Sequence, residues 1–292
     1  MPHRRFTVDG LALTAEPAAA GLHVVATPIG NLGDITLRAV RTLAGVDAVA
    51  AEDTRHTWRL LSHYGIEATM LRYDEHGAAA RRPRILARLE AGGSIALVSD
   101  AGTPLVSDPG YRLVREAREA GIAVHAVPGP SAPVAALSVA GLPTDAFLFA
   151  GFLPAKSGAR RSRLAELAAV PATLALFEAP HRLAEALADC AATLGGEREA
   201  AVARELTKRF ETVVRGSLAE LAARYADDPA RGEVVILVAP LAGPAPVEET
   251  DVDALLVAAL ARLPASAAAA EVSKATGLNR RELYRRALGL KA

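Results

Sequence analysis

The chain has 292 residues, 51% of them hydrophobic, with a mean hydropathy of +0.21, which is enough to bury the cores of two ordinary domains. Its 33 Lys and Arg balance 33 Asp and Glu, so no whole-molecule field draws it to nucleic acid or a membrane, and any basic surface must be local. Cys190 is the single cysteine and the seven His are scattered, which excludes an internal disulfide framework and a zinc-type ligand cluster and suits a reducing cytoplasm.

Residues 1–20 hold charges but no apolar core of signal-peptide length, and nowhere do about 20 apolar residues run uninterrupted. The expectation is a soluble protein with a loose N-terminal tail. From residue 22 onward, short β-prone runs alternate with helical patterns. LHVVA (22–26) is a strand leading to the loop TPIGNLG and a helix over 36–44, and residues 46–51 form a strand ending in AEDTRH. There Asp53 or Thr54 is placed to cap the helix that carries Trp58 and Leu61. A third strand near 68–72 precedes a basic helix around Arg81–Glu90. The run Ile95–Ser99 then changes into a loop, Asp100–Gly110, with two Gly, two Pro and two Asp in eleven positions. Glycines let backbone approach a ligand, prolines stiffen the loop, and open parallel sheets bind ligands beyond their strands' carboxyl ends. Residues 122–127 form a fifth strand before PGPSA (128–132). This alternation predicts a mostly parallel sheet covered on both faces, with four unusual loops at the same strand ends.

The second half repeats the theme with other motifs. Strands are predicted at 147–152, 173–178, 200–205 and 234–239, with 210–214 pairing antiparallel; LPAKSGARRSR supplies Lys156, Arg160, Arg161 and Arg163 at a helix start. The acidic, proline-rich stretch 240–253 reads as a linker. A small unit over 251–292 follows, with an alanine-rich helix (267–275), a turn at Thr276-Gly277-Leu278 and a helix over 279–288 in which Asn279 and Glu282 have capping-box spacing. Lys274, Arg280, Arg281, Arg285, Arg286 and Lys291 make this helix-turn-helix outline basic.

TPIGNLGDITLRA, AAEDTRHT, LVSDAGTPLVSDPGY, PGPSA, GFLPAK, FEAPHR and RELTK with a later GE at 232–233, in this order, resemble the small-subunit ribosomal RNA methyltransferase I family. The resemblance runs from about Leu22 to the C-terminus. It implies two α/β domains of the tetrapyrrole methylase type (21–130 and 131–241) with an interdomain cofactor cleft, plus the helical unit. It further implies a homodimer and methyl transfer from S-adenosylmethionine to a cytidine 2′-hydroxyl of 16S rRNA, free or within the small ribosomal subunit. No G-x-G-x-x-G follows the first strand and no P-loop is present, which disfavours dinucleotide and NTPase readings.

Methyl transfer from a sulfonium asks the protein for alignment, desolvation and proton removal. On this reading Pro28, Gly102, Thr103 and Pro104 wall the cofactor, Gly129, Ser131 and Ala132 offer free amides at a helix start, and Asp100 meets the donor's ammonium or ribose hydroxyls, or is simply an Asx-turn residue. Phe177 and Glu178 of FEAPHR join the same wall. On the acceptor side, Glu52, Arg55 and His56 face RNA with Asp53 as base, although a helix cap with surface salt bridges uses the same letters. Glu205 and Lys208 are the other catalytic candidates. Lys156, Arg160, Arg161, Arg280 and Arg281 are candidate phosphate contacts, against solvated helix faces and, for the alanine-rich helix, dimer packing. Two other functions use parts of this pattern: a tetrapyrrole C-methyltransferase, which needs no basic appendage, and a non-enzymatic nucleic-acid-binding regulator, which needs no cofactor loops.

Overall fold

A computed structural model describes residues 4–74, 77–108, 110–241, 249–276 and 278–290. Met1–Ala239 form one compact unit and Pro240–Ala292 a second. The expected contributions of Pro109, Gly277 and Lys291, and half of the expected linker, lie outside the described residues.

The first unit opens with a hairpin, β1 (Arg5–Val8) antiparallel to β2 (Leu11–Thr14), where the composition predicts a loose tail. That expectation is corrected by packing: Phe6 is 2% exposed, Thr7 N–H donates to the Tyr64 carbonyl, and the following segment runs so close to Gly45 that a Cβ there would lie 2.5 Å from the Glu16 carbonyl oxygen. Burying one Phe contributes about 1.5–3 kcal/mol, sufficient to hold a short ribbon in place.

The first sheet is built from β3 (Gly21–Val25), β4 (Ala48–Ala51), β5 (Met70–Arg72), β6 (Ser94–Val98) and β7 (Val124–Val127), all parallel in the order β5-β4-β6-β3-β7. Every residue of β4 and β6 is buried, as strands covered on both faces require. One face is packed by α1 (Leu37–Gly45) and α2 (Thr54–His63), the other by α3 (Ala78–Glu90) and α4 (Tyr111–Glu119). The helix starts follow their sequence signals: Thr36 accepts from Ala39 N–H and Asp53 from Arg55 N–H.

α5 (Ala132–Ala140) turns the chain into the second sheet, which contains β8 (Phe147–Phe152), β9 (Thr173–Glu178), β10 (Glu199–Arg204), β11 (Thr212–Ser217) and β12 (Val234–Val238) in the order β11-β10-β12-β9-β8. Only β8 and β9 run parallel; β11 pairs antiparallel with β10, as expected of that segment. α6 (Ser157–Leu167), α7 (Leu183–Leu194) and α8 (Leu218–Asp227) cover one face. α5 covers the other, and there Ile29, from the loop after β3, enters the second sheet's core.

Among its described residues the C-terminal unit has three helices where two are expected: α9 (Glu249–Leu260), α10 (Ala265–Thr276) and α11 (Arg280–Gly289). α9 begins inside the stretch read as linker, because its Val252, Leu256 and Ala259 complete the core around Ala268, Ala269, Val272, Leu283 and Ala287. The alanine-rich face of α10 is therefore partnered within the unit itself.

Candidate active site

The parallel sheet aims the loops after β3, β4, β6 and β7 at one edge, and hydrogen bonds tie them together. Thr27 and Gly102 exchange backbone bonds of 2.9 and 3.1 Å, Thr103 Oγ1 donates to the Pro130 carbonyl (3.1 Å), and Asp53 N–H donates to Asp100 Oδ1 (3.1 Å). Gly102 has φ +79°, and a Cβ there would lie 3.3 Å from Ile29, so the residue's lack of a side chain is part of the wall.

Between these loops and the second sheet lies a cavity of about 400 Å³. From the first half it is lined by Ile29, Asp100–Thr103 and Val106–Asp108, and from the second by Ser131, Ala132, Phe177, Glu178, Leu206 and Gly232–Val235, with the exposed Phe152 at its rim. Of the residues expected on the cofactor wall, Asp100, Gly102, Thr103, Ser131, Ala132, Phe177 and Glu178 line it. Pro28, Pro104 and Gly129 do not; Pro104 is buried, and Gly129 sits where a Cβ would lie 3.0 Å from that of Ala26, a packing role beneath the loops. The rim is strained: Leu105 (φ 74°), Ser107 (φ 67°), Glu205 (φ 52°) and Thr207 (φ 65°) adopt left-handed backbone, each costing about 1–3 kcal/mol and tolerated where surrounding structure over-determines it. Ser107 fits because Gly151 faces it; a Cβ on that glycine would lie 3.2 Å from Ser107 Oγ.

The three candidate bases sit outside the lining. Asp53 caps α2 and gives both carboxylate oxygens to the Arg55 side chain (3.2 and 2.9 Å), which holds its carboxyl well below the usual range and makes it a poor proton acceptor. Glu205 takes Glu233 N–H (2.9 Å) and Lys208 Nζ (3.0 Å), in that order the causes that lower it. Burial works to lower the Lys208 pKa, but Glu205 and Glu233 outweigh it and raise it, so the amine stays protonated at neutral pH. Lys208 instead packs across Gly30 and joins the two halves at the rim.

Among the basic residues, Arg160 is corrected from RNA contact to core member. It is 1% exposed, with its Nε 2.7 Å from Asp189 Oδ2. Arg161 bonds the same carboxylate at 2.6 Å from the surface side, and Lys156 is exposed. Burial pushes Asp189 up, yet its bonds from Arg161, Arg160 and Ser157 prevail and keep it low. Arg55 and His56 are exposed, and Glu52, Asp53, Arg55, Arg72 and Asp74 border a second hollow that shares Asp100 with the cavity. In the C-terminal unit Arg280 and Arg281 are exposed at the start of α11, which Asn279 caps by accepting from Arg281 N–H, beside a hollow shared with Ser266 and Tyr284. Burial pushes the Cys190 thiol up to about 12, which leaves it unreactive. Among the described residues there is no metal-binding group of His, Cys, Asp and Glu, and no helix is long and apolar enough to cross a membrane.

The lining residues not anticipated include Ile29, Val106, Asp108, Phe152, Leu206, Glu233 and Val235. Asp108 is the second aspartate of the loop Asp100–Gly110, and no spacing rule tells that both of its aspartates face the cavity.

Residues 21–222 match the model of the Tetrapyrrole (Corrin/Porphyrin) Methylases, and residues 246–291 that of the RsmI C-terminal HTH domain. Among solved structures, a cobalt precorrin-4 methyltransferase shares the fold (TM-score 0.57, 18% identity, 75% of this chain and 94% of that one). So does uroporphyrin-III C-methyl transferase from Thermus thermophilus complexed with S-adenyl homocysteine (TM-score 0.54, 19%, 75% and 97%). Proteins named ribosomal RNA small subunit methyltransferase I are 55% identical in Mesorhizobium japonicum (96% of this chain, 95% of that one) and 51% in Pseudomonas aeruginosa (93% and 98%). The chain belongs to the tetrapyrrole methylase class and, within it, to the ribosomal RNA small subunit methyltransferase I family.

Proposed function

We propose that this methyltransferase transfers the methyl group of S-adenosylmethionine to a cytidine 2′-hydroxyl of 16S rRNA. Family membership supports this reading, and the single structural observation that carries it is the cavity where both halves meet. The cavity fits the cofactor: Gly102 leaves space that a side chain would fill, Ile29, Ala132, Val235 and Phe177 give apolar walls, and the carboxylates Asp100 and Glu178 suit hydroxyls and a cationic amine. When bound there, S-adenosylmethionine supplies an electrophilic methyl group on a sulfonium. The chain's own work is to hold the acceptor ribose at the cavity mouth, keep water out and accept the proton.

Arg55 and Arg72, in the hollow that adjoins the cavity through Asp100, support phosphate contacts beside the reacting sugar, with Glu52 and His56 near. Arg280 and Arg281 support a second phosphate contact by the C-terminal unit. This basic appendage favours the RNA reading over a tetrapyrrole C-methyltransferase, and the cavity favours it over a non-enzymatic regulator. A homodimer acting in the cytoplasm completes the proposal, and sedimentation measures the first of these.

The test is methylation of 16S rRNA, free and within the small subunit, isolated from cells lacking this modification, followed by mass spectrometry of the nucleosides. The expected product is 2′-O-methylcytidine; methylation of a tetrapyrrole with no RNA product overturns the reading. Residues 1–241 alone are expected to bind S-adenosylhomocysteine normally and to methylate RNA poorly.

A further inference from the structure

Four carboxylates line the cavity; two are paired with cations and Asp100 is held by a backbone amide. Glu178 accepts from Ala179 N–H (2.7 Å) and Arg182 (3.0 Å), Glu233 lies 3.2 Å from Lys208 Nζ, and Asp100 accepts the Asp53 amide. Asp108 is different. Half-buried, it forms no ion pair among the described residues, and the groups that face it are the Ser99 hydroxyl and the Asp100 carboxylate. Its loop is held by two left-handed residues, Leu105 and Ser107, and by the close approach of Ser107 to Gly151 on the opposite sheet. The fold thus keeps two carboxylates without a cation in the chamber where methyl transfer is proposed, and of these Asp108 is met by a hydroxyl and a like charge rather than by a backbone amide.

We propose that Asp108 is the general base that removes the proton of the acceptor hydroxyl, an inference that rests on the proposed ribose methylation. In the step, the O–H bond breaks and its proton passes to an Asp108 carboxylate oxygen. The freed oxygen pair forms the O–CH3 bond, and the electron pair of the breaking C–S bond stays on the donor's sulfur, which becomes a neutral thioether. Burial, and then the neighbouring Asp100 charge, raise the Asp108 pKa, against a lowering bond from Ser99. A base with higher proton affinity is the better acceptor, provided it is ionised at working pH. Asp53, Glu205 and Lys208 all lie outside the cavity lining, the first two with carboxyls shifted down and the third with its amine shifted up. The sign follows: the rate falls as pH falls through the Asp108 pKa, because the protonated carboxyl accepts nothing.

The experiment measures single-turnover methylation of rRNA, its pH profile, and S-adenosylhomocysteine binding by calorimetry for wild type, Asp108→Asn and Asp108→Glu. Asp108→Asn is expected to slow the step by about 100-fold or more, to bind S-adenosylhomocysteine within about threefold of wild type, and to lose the acidic limb of the profile. Asp108→Glu is expected to restore part of the rate and to retain the limb at a shifted pH. An Asp108→Asn rate within about threefold of wild type overturns the proposal, as does a loss of S-adenosylhomocysteine affinity as large as the loss of rate, which makes Asp108 a cofactor-holding residue. Should the Asn variant not fold, a wild-type profile without an acidic limb overturns it independently. A wild type that methylates no rRNA refutes the functional reading and this inference with it, whereas an active wild type beside an unimpaired variant refutes the inference alone.

Discussion

The cavity and the charge pairs outside it are built from the same residue types and use them in opposite ways. Outside the cavity, Asp53 meets Arg55 on the surface and Asp189 meets Arg160 and Arg161 beneath it, so each carboxylate is neutralised where it stands and its work is to hold geometry. Inside, Asp100 and Asp108, near the two ends of the loop between β6 and α4, face each other without ion pairs among the described residues. A carboxylate given a guanidinium becomes a weaker base, whereas one given burial and a like charge becomes a stronger one. On the proposal for Asp108, reactivity follows from what a side chain lacks as a partner, and the paired charges outside the cavity are structural.

That contrast can be broken most forcefully at the buried charge cluster outside the cavity. Asp189→Ala leaves Arg160, 1% exposed, without its principal counter-charge, and is expected to cost about 3–5 kcal/mol of stability in denaturant titration while S-adenosylhomocysteine binding by the still-folded fraction is unchanged. Equal affinity loss in that fraction would place Asp189 in the site. Gly102→Val is the converse. At φ +79° and against Ile29, it is expected to leave a folded protein whose S-adenosylhomocysteine affinity falls by at least about 100-fold, or ~2.7 kcal/mol; unchanged calorimetric binding would remove the cofactor from this cavity.

A smaller effect separates acid inactivation from acid unfolding. His23, 6% exposed and stacked on His125 at 4.6 Å, has its pKa lowered by burial, against a raising bond to the Ala19 carbonyl. Because the unfolded chain binds the proton more readily, the stability contribution is complete above the ordinary value of 6.5 and is lost as pH falls from there through the folded-state pKa. The melting temperature is expected to fall between about pH 7.5 and 5.5 in wild type, and to fall less in His23→Gln. A melt independent of pH would assign the whole acidic limb of activity to the site. The smallest change is expected from Asp53→Asn, which keeps the cap of α2 and removes only an exposed ion pair. Its methylation rate should stay within about threefold of wild type, and a larger loss in single-turnover kinetics would return Asp53 to the chemistry.

The sequence by itself determined the elements and their alternation, because buried parallel strands such as AVAA and SIALV and caps such as Thr36, Asp53 and Asn279 are local signals. It also determined the loops of the site, since Gly, Pro and Asp in DAGTPLVSDPG and PGPSA encode backbone shape at strand ends. What the tertiary structure decided was the use of side chains whose environment is assembled from distant segments. Arg160 reads as a phosphate contact until Asp189, 29 residues on, draws it into the core. Phe6 reads as part of a tail until α1 and α2 give it a pocket. Asp108 reads as one of two loop aspartates until strained turns, Gly151 and Asp100 set it in the cavity without a cation. Backbone preference acts over a few residues and is written in composition, whereas burial and charge pairing act through space and exist only once both sheets have closed on each other.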